Sequence, residues 1–140
     1  WIAIANVSAI WATITIILMA FGAIFALLRA PDRDRWLFQA PVALYAGWLT
    51  AASWVSIATT MAGYNVLFDA LTWAVIGILG ALLVAIFTFR NRTSAPEYLT
   101  SIIWALIGII VANGMQNALI SALAIGGILA LIGAALKLRT

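Results

Sequence analysis

Residues 29 to 35 read Arg29-Ala30-Pro31-Asp32-Arg33-Asp34-Arg35, and this polar stretch separates two long apolar runs. The chain has seven cationic residues, and all of them fall in three such segments: Arg29, Arg33 and Arg35, then Arg90 and Arg92, then Lys137 and Arg139. The connections at 63–69 and 113–116 contain no Lys or Arg. Because cationic loops stay on the cytoplasmic side of a membrane, the pattern predicts five spanning helices, with the N-terminus outside and the C-terminus in the cytoplasm.

The composition excludes a soluble fold. The chain has 140 residues, of which 66% are hydrophobic and 8% charged, and its mean hydropathy is +1.17. A soluble domain is roughly half apolar and a quarter charged, and a spanning helix needs about 20 residues. We therefore predict an all-α integral membrane protein, a five-transmembrane-helix bundle in a single domain, with spans at about 1–28, 36–62, 70–89, 95–112 and 117–136.

The charged and reactive residues restrict the chemistry. The net charge of +3 is explained by topology, so we expect membrane lipids and their anionic headgroups as partners, and no nucleic acid. The chain has no Cys and no His, which excludes disulfides, thiolate metal sites and histidine-ligated haem. The carboxylates all fall in loops or first turns, which argues against an ion-coupled transporter. No catalytic constellation or metal motif is found, so we predict that the chain is not an enzyme.

Local signals mark three helix ends. Asp69 is placed to cap the third span. Ser94 and Glu97 have the spacing of a capping box, which predicts that the fourth span starts near Ala95. Asn113-Gly114 is typical of a helix end and predicts a tight turn into the last span.

The second span carries the main candidate site. Steps of four, three and four residues place four side chains on one face of this helix. They are Pro41, Tyr45, Trp48 and Ala52. This face suits either binding of a flat apolar ligand or contact with another helix. Gly47 lies beside it, and Gln39, one turn before the aromatic residues, is placed to make a polar contact with the ligand. Pro41 also leaves a backbone carbonyl near Leu37 without its usual partner, which predicts a kink.

Tryptophan is abundant, with seven residues in the chain. Trp1, Trp36 and Trp73 fall near predicted interfaces, where Trp commonly anchors a helix. Four others lie deeper, where they line a pocket or pack against lipid and helices: Trp11, Trp48, Trp54 and Trp104. Polar residues at the external end predict either helix caps or a polar rim over the bundle: Asn6, Asn113, Gln116 and Asn117.

In its second span the chain resembles the tryptophan-rich sensory proteins, the TspO/translocator protein family. The likeness is carried by Pro41-Val42-Ala43-Leu44-Tyr45-Ala46-Gly47-Trp48-Leu49-Thr50, by Trp73, and by Ile103-Trp104-Ala105-Leu106-Ile107-Gly108. Three family patterns are absent: Pro-Tyr-x-x-Trp in the fourth span, Leu-Asn-x-x-Trp in the third, and a doubled proline before the second. The chain therefore resembles a divergent branch of the family.

The resemblance implies a function that composition alone does not. Members of the family bind porphyrins, sterols or other apolar ligands among five helices, and many are dimers. The implied role is a sensor, carrier or regulator in the bacterial inner membrane that binds a flat apolar ligand, namely a tetrapyrrole, sterol or isoprenoid. A non-covalent tetrapyrrole, carotenoid or lipid is the cofactor that this role would imply. The residues carried over by position are Pro41, Tyr45, Gly47 and Trp48, with Trp104 as an addition.

Two other functions fit the same residues. One is an accessory subunit of a larger photosynthetic or respiratory membrane complex, and the other is a small transporter. Small residues spaced by four, at Gly77 with Ala81 and at Gly126 with Ala130, predict close helix contacts. Such contacts form inside one chain or across a homodimer, and the spacing does not choose between them.

Overall fold

The computed structural model describes residues 8–31 and 33–139, the side chain of Arg139 excepted, so the predictions for Trp1, Asn6 and Asp32 lie outside it. Within these ranges the chain forms five long helices: α1 (Ala9–Arg29), α2 (Ala40–Gly63), α3 (Ala70–Asn91), α4 (Pro96–Asn113) and α5 (Ala118–Arg139). A π turn at Arg35–Gln39 leads directly into α2. All five helices are long and apolar enough to cross a membrane, so the predicted five-helix bundle is confirmed.

The second helix is the centre of the bundle. α2 packs against α1, α3 and α4, whereas α5 packs against α4 and α3, and α1 makes few contacts beyond α2. The buried face of α2 is built from small side chains, among them Ala43, Ala46 and Gly47. Small residues let membrane helices approach closely where no water is available to drive association. The composition of α2 therefore explains its central position.

Hydroxyl groups join α1 to α2. The Thr13 hydroxyl oxygen lies 2.7 Å from the Ser56 hydroxyl and 2.9 Å from the Thr60 hydroxyl. Thr13 donates its own proton to the Ala9 carbonyl, at 2.8 Å, so it accepts from its partners on α2. Hydrogen bonds between membrane helices contribute about 0.6 kcal/mol on average, so this cluster orients α1 more than it holds it.

One end of the bundle, here called the basic end, carries the cationic residues. α1 ends there at Arg29, the segment 33–39 leads into α2 there, and α3 ends there at Asn91. The Arg92 guanidinium donates to the Ala30 carbonyl, which ties the α3–α4 connection to the end of α1. The connections at 64–69 and 114–117 lie at the opposite end, here called the far end.

The capping-box prediction for α4 is wrong. Ala95 is the N-cap, and no side chain caps this helix. The Ser94 hydroxyl instead accepts a hydrogen bond from Gln39 Nε2 at 3.0 Å, and a Glu97 oxygen pairs with Arg35 at 2.8 Å. Both side chains are used to join α4 to the start of α2, which local spacing in α4 does not reveal.

Two other local predictions can be compared with the structure. The Asp69 carboxylate accepts from the Thr72 amide at 3.0 Å, so its predicted cap of α3 is confirmed. The kink predicted from Pro41 stays a prediction, but the residues before it form a π turn, in which the Phe38 and Gln39 amides both donate to the Asp34 carbonyl, at 2.9 and 3.2 Å. Proline has no amide to donate and thus leaves the turn before it without regular bonds.

Candidate ligand-binding site

An apolar cavity lies between α2, α3 and α4 in the half of the bundle toward the far end. Its volume is about 250 Å³, and α5 contributes Ile120 to its wall. Small side chains from three helices leave this space open: Ala51 and Ala58 of α2, Ala74 and Gly77 of α3, and Ala105 of α4. Concave, mostly apolar cavities with a few polar groups are the usual form of small-molecule sites.

Gly77 shows how closely α2 and α3 approach beside the cavity. A Cβ atom at this position would stand 3.2 Å from the Ala58 Cβ and 3.3 Å from the Trp54 carbonyl oxygen. One predicted small-residue contact therefore lies inside the chain. Gly126 differs, because a Cβ there would meet no described atom within 4 Å.

Two polar side chains in the lining have their hydrogen bonds within the chain. The Thr59 hydroxyl donates to the Val55 carbonyl at 2.9 Å. The Asn113 amide donates to the Ile109 carbonyl at 2.8 Å, and its oxygen accepts from Asn117 at 3.2 Å. Both side chains therefore make hydrogen bonds within the chain, and of the two N–H donors of the Asn113 amide one is used in this way.

Trp54 is the exception among the polar groups that line the cavity. Within residues 8–31 and 33–139, its indole nitrogen has no hydrogen-bond partner in the structure, although the side chain is partly buried. An indole N–H in an apolar site usually finds an acceptor. The indole N–H of a residue that lines the cavity is therefore without an acceptor in the described part of the chain.

A second cavity lies on the other side of Trp54. It occupies about 210 Å³ between α1, α2 and α3, and Phe21, Ile57 and Val84 are among its lining residues. The polar groups in its wall are engaged: the Ser53 hydroxyl donates to the Ile16 carbonyl at 3.3 Å, and the Thr50 hydroxyl to the Ala46 carbonyl at 2.8 Å. Trp54 is thus shared by two apolar spaces.

The core is closed between the first cavity and the basic end by Tyr98. This side chain is 1% exposed and lies one turn from Ile102, which lines the cavity. Its hydroxyl is 3.0 Å from the Thr50 hydroxyl and also bonds to Thr88. Three hydroxyls from α4, α2 and α3 therefore meet in a buried cluster that the sequence reasoning missed. The signal available was a hydroxyl residue within each of two spans, Thr50 in α2 and Thr88 in α3.

The predicted stripe on α2 faces outward. Pro41 is exposed, Tyr45 and Trp48 are 49% and 55% exposed, and Ala52 is partly buried. The structure thus brings these residues to one face, but the face looks toward the membrane and does not line the first cavity. Trp104 on α4 is 74% exposed and also faces outward. Their role as ligand contacts stays a prediction.

The other two predicted site residues are used in helix packing. Gly47 is buried against α4, and Gln39 is 2% exposed and bonded to Ser94. The residues that do line the cavity include Ala51 and Ala58, which are seven apart and so lie on the same face of α2 as Trp54. The sequence identifies Trp54 only as one of four tryptophans that lie deep in the predicted spans.

The far end carries an anchored aromatic pair. Trp73 donates its indole N–H to the Val66 carbonyl at 2.7 Å and meets the edge of Phe68, with ring centroids 5.7 Å apart. Asn113 and Asn117 bond to each other at the same end. These contacts hold the two far-end connections against the helices that line the cavity.

The fold and the cavity together define a class: an integral membrane protein of five helices with an apolar cavity between three of them. The chain belongs to the family of TSPO-like proteins, because the model of that family matches residues 1–137. No curated protein and no solved structure shows a significant match. The resemblance seen in the second span is therefore confirmed at the level of the family.

Proposed function

We propose that this protein binds an apolar small molecule of the tetrapyrrole, sterol or isoprenoid class in the cavity between α2, α3 and α4. It then acts as a membrane sensor, carrier or regulator. The observation that carries the proposal is the cavity itself, about 250 Å³ of apolar space with one indole donor in its wall. Membership of the TSPO-like family supports it.

The bilayer determines what such a site must provide. A ligand dissolved in lipid gains little from the hydrophobic effect on entering an apolar cavity, because lipid tails are as apolar as the cavity wall. Selectivity must come from shape and from polar contacts. The Trp54 N–H is such a contact, since a carbonyl or hydroxyl oxygen has few other donors inside a bilayer.

Titration of the full chain in lipid nanodiscs tests the proposal. Three probes cover the three classes: geraniol, cholesterol and protoporphyrin IX, with tryptophan fluorescence as the readout. We expect saturable binding of at least one probe at about one molecule per chain. The variant Ala105→Phe places a ring in the cavity and is expected to weaken that binding at least about tenfold, a loss of roughly 1.4 kcal/mol.

Val111→Phe is the matched control. It adds a similar ring on the same helix, but Val111 is exposed on the outside of the bundle, so binding should not change. Equal loss in both variants, or no binding of any probe, would contradict the proposal. Copurification with stoichiometric polypeptides and no small molecule would favour an accessory subunit instead.

A further inference from the structure

Trp54 divides one apolar region into two cavities, and we infer that it thereby sets the size of the ligand. With Trp54 in place, the cavity between α2, α3 and α4 takes a short isoprenoid chain that carries a hydroxyl or carbonyl oxygen. A tetrapyrrole macrocycle is excluded. The inference rests on the proposed function and deepens it, because it selects one ligand class for the same site.

The position of the Trp54 ring depends on Gly80 of α3. A Cβ at position 80 would stand 2.5 Å from ring atoms Cη2 and Cζ3 of Trp54 and 2.7 Å from Cε3. The six-membered ring therefore lies directly on the glycine, between the two cavities whose walls it shares. The indole ring therefore occupies the space that a side chain at position 80 would fill.

Volume decides between the ligand classes. An apolar cavity of about 150 Å³ takes one benzene-sized molecule, so the 250 Å³ between α2, α3 and α4 suits a molecule only moderately larger. A macrocycle of four pyrrole rings is too large to be enclosed there. Sites for larger ligands occupy roughly 300–1,000 Å³, and the two cavities would reach that range only if the Trp54 ring no longer separated them.

The indole also determines which polar group the ligand carries. The ring edge formed by Cε3, Cζ3 and Cη2 faces Gly80, so the edge with Nε1 points away from α3. Nε1 has no acceptor among the residues that the structure describes. It is not fully enclosed by other atoms, so it is accessible to a bound molecule. A ligand oxygen supplies the missing acceptor, which favours an isoprenoid alcohol or carbonyl compound over a plain hydrocarbon.

Three variants distinguish the role of the Trp54 ring as a partition between the two cavities from its role as a hydrogen-bond donor. Each variant is tested with geraniol and protoporphyrin IX in nanodiscs. Trp54→Ala removes both, so we expect geraniol affinity to fall about tenfold and protoporphyrin affinity to rise about tenfold. Trp54→Phe keeps a partition without a donor, so geraniol binding should weaken while protoporphyrin stays excluded. Gly80→Ala displaces the indole ring from its position against α3 and should weaken geraniol binding.

Two further variants keep the result interpretable. Trp54→Leu fills more of the core than alanine and serves where Trp54→Ala folds poorly. Gly108→Ala is the control for Gly80→Ala, because a Cβ at 108 would meet no described atom within 4 Å. It should bind geraniol like the unmodified protein.

The outcomes distinguish this inference from the proposed function. If the unmodified protein binds geraniol and the Trp54 variants keep the same preference for geraniol over protoporphyrin IX, the proposed binding site is supported and the inferred role of Trp54 is wrong. Tight protoporphyrin binding by the unmodified protein would also overturn the inference while leaving the site in place. If neither the protein nor its variants bind any probe, both are wrong.

Discussion

Gly47 of α2 lies against the main chain of Tyr98 of α4. A Cβ at position 47 would stand 2.3 Å from the Tyr98 carbonyl oxygen and 2.9 Å from the Ser101 Cβ. The Ser101 hydroxyl crosses the same contact and donates to the Leu44 carbonyl at 2.9 Å. The backbone of α2 at Gly47 therefore lies directly against α4, and a side chain at position 47 would separate the two helices.

We predict that Gly47→Ala lowers the stability of the protein. Because the obstructing atom belongs to the backbone, α4 itself would have to move, and overpacking of this kind costs about 1–3 kcal/mol. Thermal unfolding in detergent measures the change. Gly108→Ala on α4 is the control, since its Cβ meets open space. Equal melting temperatures for the two variants would contradict close packing at Gly47.

Tyr98→Phe should also be destabilising. The substitution keeps the ring but removes a buried hydroxyl that bonds to Thr50 and Thr88. Each hydrogen bond between membrane helices contributes about 0.6 kcal/mol on average, so the loss of both should cost about 1 kcal/mol. Tyr45→Phe is the matched control, because the Tyr45 side chain is about half exposed to the membrane. Unfolding curves that shift equally for both variants would show that the hydroxyl cluster contributes nothing.

The environment of the Asp69 carboxyl predicts that the stability of the folded protein depends on pH. Hydrogen bonds from the Thr72 side chain and amide hold the pKa of this carboxyl below its ordinary value of 3.8. Because the pKa is lower in the folded state, the charged cap stabilises the folded protein fully at any pH above the pKa of the unfolded chain. This contribution is lost as the pH falls through the pKa of the folded protein.

Asp69→Asn tests this dependence, because it keeps an acceptor for the Thr72 amide but does not titrate. Melting temperatures between about pH 6 and pH 3 are compared for the two proteins. The unmodified protein should lose stability in acid relative to the variant. Parallel curves would mean that the charge of Asp69 does not matter.

The orientation of the bundle is open to direct measurement. Since the chain contains no Cys, single cysteines can be added without background labelling. Met115→Cys lies in the far-end connection and Thr93→Cys at the basic end. An impermeant maleimide applied to intact cells should label only position 115, and position 93 should react only after lysis. The reverse pattern would overturn the predicted orientation.

The fold was predictable because it depends on properties that each segment carries alone. Length and apolar content define a spanning helix, and Arg29 or Arg90 marks where one ends. The cap at Asp69 is likewise local, because the residue bonds to an amide three positions away. The capping box failed for the opposite reason: Ser94 and Glu97 bond to partners more than fifty positions earlier in the chain.

The cavity was harder to predict, because it depends on which faces of three helices meet. Spacing placed Tyr45 and Trp48 on one face of α2, and the structure agrees, but spacing does not say whether that face looks inward. In a soluble helix the polar face identifies the outside, whereas a helix in lipid is apolar on all sides. Trp54 and Trp48 therefore look alike in the sequence, although only Trp54 lines the cavity.

The central position of α2 has a consequence for biogenesis. α2 is the second span in the chain, and it already holds α1 through the hydroxyls of Thr13, Ser56 and Thr60. When the first two spans have entered the bilayer, the surface that receives α3 and α4 is complete, and α5 then closes against both. The order of synthesis and the order of packing therefore coincide, because each span from α2 onward packs against a span made before it.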